Sequence, residues 1–212
     1  MAPLSRRERA DLSDLMDSLG PEAPTLCGTW TTYDLAAHLV LRERSPTAAP
    51  GIVLPPLAAL ADRGMGRLKA EHDYPHLVDL VRSGPPVWSP MRLGEVDRMF
   101  NTVEFFVHHE DVRRAQPGWT PRRLEPRDEN ALWAALRRMG RVLARRSTVG
   151  IDLVRTDDEG RVTAKRGEPT LVVEGRAGEL VLFAYGRTEV ADVVRGGDVR
   201  AGEQFDAGRL GL

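Results

Sequence analysis

The chain has 212 residues, enough to bury one large core or two smaller ones without disulfide support. Hydrophobic residues make up 42% and charged residues 29%, and Lys+Arg 30 against Asp+Glu 31 leaves a net charge of -1, which argues against a general nucleic-acid binder with its surplus of positive charge. Cys27 is the single cysteine, which excludes an internal disulfide and a CxxC metal knuckle and fits a reducing cytoplasm, and neither an export signal nor a membrane-length apolar run is visible.

From Ser5 to about Arg146 the apolar residues recur with a helical period, and glycines and prolines punctuate the segments. A first helix carries Leu12, Leu15, Met16 and Leu19 and stops at Gly20-Pro21. A second begins at Thr31 or Thr32, where Thr31 and Asp34 form a capping-box pattern, and runs through Leu35, His38, Leu39 and Leu41 towards Pro46. Pro55 to about His72 and Pro75 to Ser83 read as shorter helices. Glu95 to about Ala115 is the strongest helix, ended by Pro117-Gly118, and a last long one starts near Pro126 with Leu132, Trp133, Leu136, Met139 and Leu143. After Thr148 the period changes: Ile151–Arg155 and Arg161–Lys165 read as a hairpin, Leu171–Glu174 as a third strand, Glu179–Tyr185 as a short helix and Val190–Val194 as a further strand. The expected architecture is mainly α, a helical bundle over residues 1–147 followed by a small α+β domain over 148–212.

Advancing ~100° per residue along the helix Glu95 to Ala115 puts Asp97, Asn101, His108 and Asp111 within roughly 60° of Glu104. Val96, Phe100, Val103 and Val107 flank this polar stripe on one side, and Phe105 and Val112 on the other. A solvated helix face is not bordered by apolar positions on both sides, so the stripe points into a bundle, where carboxylates need a metal or a cation. Glu104 and His108, spaced i, i+4, emerge one turn apart and can close on one divalent ion. His109 falls ~140° from Glu104 and does not share that bite, although the histidine doublet leaves open which of the two binds. A third ligand must come from another helix, and His38, mid-helix among leucines, is the natural candidate. The opposing reading is that Glu and His share a helix face by chance and that His38 is a hydrogen-bonded core residue.

The stretches Leu26 to Val40 and Val103 to Arg114 resemble the two signature segments of the DinB-like metalloproteins related to mycothiol-dependent maleylpyruvate isomerase. Trp30, Asp34, Leu35 and His38 match a Trp-x3-Asp-Leu-x2-His segment, and Glu104 and His108 match a Glu-x3-His segment. The resemblance implies a DinB-like bundle with a four-helix core. It further implies that His38, Glu104 and His108 hold a divalent metal, usually zinc, with one position open to water or a low-molecular-weight thiol. Val173–Leu182 with Gly186-Arg187 resembles the sterol-carrier-like C-terminal module of the same family branch, while the stretch after Gly197 matches nothing. Three protein ligands with an open position is also how catalytic zinc sites are built.

Other residues compete for attention. His72 and His76 are another i, i+4 pair, but Pro75 between them breaks the helix that this spacing assumes, which favours a loop or surface role. Cys27, just ahead of a helix start, reads as a small buried hydrophobe, with a reactive thiol as the alternative. Arg42, one turn after His38, either meets an anionic substrate, pairs with Glu104 or Asp111, or makes a surface salt bridge. Trp30 and Trp133 read as core anchors. The function expected is a metal-dependent enzyme using a small, mycothiol-like thiol for transfer or isomerisation of an electrophilic substrate. The alternative is a non-catalytic metal-binding or regulatory module, and a homodimer is left open in both.

Overall fold

The structure, a computed structural model, describes residues 2–45, 58–86, 94–205 and 210–211, with the backbone alone at residues 58 and 94–100. Its elements are helices α1 (Leu4–Leu19), α2 (Thr32–Arg44), α3 (Ala58–Glu71), α4 (Tyr74–Ser83), α5 (Gly94–Arg114) and α6 (Pro126–Leu143), strands β1 (Gly150–Arg155), β2 (Arg161–Lys165) and β3 (Thr170–Gly175), helix α7 (Ala177–Ala184), strand β4 (Val193–Gly197) and helix α8 (Val199–Phe205). Helices therefore precede a small sheet, as the change of period in the sequence implies. The expected helix start at Pro55 lies outside the described residues, as do the side chains of Val96, Asp97 and Phe100.

The chain divides into two compact units, Met1–Thr120 and Pro121–Leu212. In the first, α1 packs on α4 and α5 while α2 packs on α3 and α4. Leu12 and Met16 from α1, Leu35 and Leu39 from α2, Leu77 and Val81 from α4, and Phe105 and Val112 from α5 close a common apolar core. Local chemistry sets the helix that matters most for the site. Asp34 accepts from the Thr31 backbone N–H at 3.0 Å and from its hydroxyl at 3.2 Å, so the start of α2 is held by its own sequence. Arg42 and Arg44 at the other end complement the helix dipole. Gly20, at φ +80° and ψ 178°, takes a positive-φ conformation that glycine alone adopts without strain, which ends α1, and donates its N–H to the Met16 carbonyl.

The second unit carries a four-stranded sheet of order β2-β1-β3-β4. β1 runs antiparallel to β2 and parallel to β3, and β3 runs antiparallel to β4. The division falls at Thr120, not after residue 147, because α6 packs on β2 and α7. Its apolar face, Leu132, Trp133, Leu136 and Leu143, is buried, and a Cβ at Gly160 would lie 3.0 Å from the Trp133 ring, so any larger residue in the β1–β2 turn would have to push the indole aside. Helical periodicity shows that α6 exists but does not say which core receives it.

β4 spans Val193–Gly197 rather than Val190–Val194. Val190 and Ala191 instead donate their backbone N–H groups to the Arg187 carbonyl in a turn. Beyond Gly197, Val199–Phe205 form α8, whose Phe205 ring stacks 5.3 Å from that of Phe183. No helix of the described residues is long and apolar enough to cross a membrane.

Candidate metal centre

Two helices of the first unit bring the polar stripe of α5 against α2. Leu35, Ala36, Ala37, Leu39, Val40 and Leu41 are all buried, so His38 enters the interior with them and is itself 6% exposed. Its ring lies 5.1 Å from Trp30 and 5.2 Å from His108. On α5, Val103, Phe105, Val107 and Val112 are buried on both flanks of Glu104 and His108, as the helical phase implies.

The groups converge on one atom. Glu104 Oε1 lies 3.4 Å from His38 Nε2, 3.3 Å from His108 Nε2 and 3.5 Å from Arg42 Nε. Arg42 also donates from Nη1 to the Asn101 side-chain oxygen at 2.6 Å. Arg42 thus pairs with Glu104 inside the bundle, which places a guanidinium directly beside the donor cluster.

Burial alone would raise the Glu104 carboxyl, but the Arg42 charge and hydrogen bonds from His108 and His38 hold it well below the usual carboxylate range. Burial pushes His38 down, and the neighbouring His108 and Arg42 charges add to that against the opposing pull of Glu104. His108 goes the other way: burial would lower it, but hydrogen bonds with Asp111, Cys27 and Glu104 raise it well above the ordinary imidazole value. An ionised carboxylate thus sits between one imidazole that favours its neutral form and one that favours its charged form.

The donor set fits a divalent ion. Nitrogen and oxygen ligands at about 2.0–2.1 Å from a tetrahedral zinc stand roughly 3.3 Å from each other. The two nitrogen-to-oxygen separations, 3.4 and 3.3 Å, are of that size and longer than a good N–H···O hydrogen bond. His38, Glu104 and His108 form one of two three-donor groups among the described residues, and the other is Cys27, His108 and Asp111.

His109 leaves the cluster for the opposite side of α5, where its Nδ1 meets Glu8 Oε2 of α1 at 2.7 Å with both side chains buried. His72 and His76 lie at the α3–α4 junction, their rings stacked 4.7 Å apart and outside both three-donor groups. Trp133 belongs to the second unit's core, while Trp30 is half-buried against His38.

Cys27 departs from its expected role as a small buried hydrophobe. It is half-buried, and its S–H donates to Asp111 Oδ2 at 3.1 Å with the sulfur 3.8 Å from His108 Nδ1. Asp111 stands out in sequence as a member of the stripe. Cys27 carries no such signal, because its contacts come from 81 and 84 residues away.

The chain matches no protein-family model and no curated protein sequence. Among solved structures it is similar to the mycothiol-dependent maleylpyruvate isomerase, with a TM-score of 0.57 and 17% identity over 92% of each chain. A structure of a histidine-to-alanine mutant of that enzyme is similar to the same degree. At this identity the likeness establishes a shared fold.

Proposed function

We propose that this protein is a metal-dependent enzyme in which His38, Glu104 and His108 hold one divalent ion, zinc by the chemistry of the donors, and that it uses a low-molecular-weight thiol of the mycothiol type to transfer or isomerise an electrophilic substrate. The observation that carries the reading is the convergence of Nε2 of His38 and Nε2 of His108 on Glu104 Oε1 at 3.3–3.4 Å, from two helices, within an apolar shell. The fold shared with a mycothiol-dependent isomerase supports the thiol.

A bound divalent ion would supply Lewis acidity and hold an added thiol in its thiolate form. The residues of the chain do the rest. With an ion in place of the His108 proton on Nε2, both imidazoles would be neutral, and together with one carboxylate they would neutralise only one of the ion's two charges, which leaves a preference for an anionic fourth partner. Leu41, one turn after His38, and Val103 and Val107, next to Glu104 and His108 in sequence, are each at most 2% exposed, and such buried apolar surroundings would strengthen that preference. Arg42, beside Glu104, offers a second cationic group to an anionic part of the substrate.

The test is spectroscopic. Protein reconstituted with cobalt is expected to develop a sulfur-to-metal charge-transfer band when a small thiol is added. A cobalt spectrum indifferent to thiols, or one already showing protein thiolate from Cys27, would replace the enzyme by a non-catalytic metal-binding module.

A further inference from the structure

An imidazole that gives one nitrogen to a metal must carry its proton on the other, and whatever accepts that proton decides which nitrogen is offered. Glu104 and Nε2 of His38 lie on the Nε2 side of His108. Asp111, three residues on and therefore on the same helix face, lies on the Nδ1 side. Its Oδ2 is 2.9 Å from His108 Nδ1, and the residue is fully buried. The same oxygen accepts the Cys27 S–H at 3.1 Å, so the carboxylate is held from a second segment of chain and not by α5 alone.

We infer that Asp111 is a positioning residue for the metal centre: by accepting the Nδ1 proton of His108, with Cys27 bracing its carboxylate, it fixes the ring so that Nε2 faces Glu104 and His38. This rests on the metal reading of His38, Glu104 and His108.

Distances decide against the competing use of the same atoms, in which Cys27, Nδ1 of His108 and Asp111 would themselves hold an ion. Sulfur and oxygen donors sharing a tetrahedral zinc stand roughly 3.5 Å apart, and nitrogen and oxygen donors roughly 3.3 Å. The two separations to Asp111 Oδ2 are 3.1 Å from Cys27 Sγ and 2.9 Å from His108 Nδ1, which are hydrogen-bond lengths, and the third, Cys27 Sγ to His108 Nδ1, is 3.8 Å, whereas those on the Nε2 side are 3.3 and 3.4 Å. One ring therefore has a hydrogen-bonded edge and an edge spaced for a metal.

The experiment compares cobalt affinity in the full-length wild-type chain, Asp111→Asn and Asp111→Ala, with the thermal unfolding of each metal-free protein as the control for folding. Affinity should fall by roughly 10- to 100-fold in Asp111→Ala and by less in Asp111→Asn, which keeps an acceptor, with each metal-free protein still unfolding in one cooperative transition. Equal affinity in all three proteins overturns the inference and leaves the metal reading standing. Wild-type protein that takes up no cobalt overturns both.

A second measurement needs no substitution. In zinc-loaded wild-type protein, the nitrogen-15 spectrum of His108 should show a protonated Nδ1 and a metal-bound Nε2. A metal-bound Nδ1 would overturn the inference even if both variants failed to fold.

Discussion

The chain has five histidines, and two pairs of them make an instructive contrast. His72 and His76 have the spacing usually sought in a metal site, yet they meet only ring to ring, 4.7 Å apart at the α3–α4 junction. His38 and His108 lie 70 positions apart and come together at 5.2 Å because α2 and α5 each turn a histidine, flanked by buried apolar residues, towards the other. What separates the pairs is the carboxylate: Glu104 stands between Nε2 of His38 and Nε2 of His108, and neither three-donor group among the described residues includes His72 or His76. Spacing along one helix proposes a bite, but a third donor from a second helix makes it a site.

The largest effect should follow from removing that third donor or either of its partners. Wild-type protein purified without chelator should carry about one divalent ion per chain, as expected of a single three-ligand centre. His38→Ala, Glu104→Ala and His108→Ala should each reduce it to background by elemental analysis. If His108→Ala keeps its metal and His109→Ala loses it, the phase of α5 is misassigned and the contrast collapses.

Much of this was open to reading because it is local. The start of α2 follows from Thr31 and Asp34, and the shared face of Glu104, His108 and Asp111 follows from helical geometry alone. The third donor proposed does not follow from periodicity, since a buried mid-helix histidine is equally at home in a core, and it is the Trp30-to-His38 motif that singles out His38. What stayed hidden depends on long-range packing. Cys27 reaches Asp111 across 84 residues, and α6 joins the sheet unit although its period is indistinguishable from that of the bundle helices. β4 is displaced by three residues because Val190 looks like a strand residue but serves a turn anchored on the Arg187 carbonyl.

His109 sharpens the comparison from the other side of α5. It is as buried as His38, and its bond to Glu8 ties α5 to α1. His109→Ala should leave metal content unchanged, yet cost about 2–3 kcal/mol of stability, because it strips a buried carboxylate of a hydrogen-bond partner and opens a cavity. Urea unfolding of the metal-free protein measures this. A loss below that of an ordinary surface substitution would mean that Glu8 finds full compensation elsewhere.

A smaller effect is expected at Asp34, which belongs to the motif around His38 but works on the helix and not on the metal. Burial would raise its carboxyl, yet hydrogen bonds from the Lys69 ammonium and from Thr31 hold it below the usual value. Asp34→Ala should cost about 1 kcal/mol at neutral pH, the ordinary worth of such a cap. Since the folded-state value is lowered, the contribution is complete above the unfolded value near about 3.9 and disappears as the pH falls through the folded one. Wild type and variant should therefore converge in acid. A stability gap that persists there would assign the effect to packing instead of charge.

The smallest effect should come from the pair whose spacing looks most like a ligand motif. Asp73 caps α4 by accepting the His76 backbone N–H at 3.1 Å, and Tyr33 donates its hydroxyl to the His72 carbonyl at 2.6 Å. What the structure asks of both histidines at this junction is mainly backbone, which alanine supplies equally well. Their side chains add a ring stack at a partly exposed position, where substitutions ordinarily change stability by no more than about 0.5 kcal/mol. The double variant His72→Ala/His76→Ala should keep the wild-type metal stoichiometry and unfold within that margin. A fall in bound metal would place the ion at the α3–α4 junction and reverse the contrast between the two histidine pairs. Unchanged metal in this variant, set beside its complete loss in His108→Ala, would show that the carboxylate between two helices, and not the interval between two histidines, is what this chain uses to hold an ion.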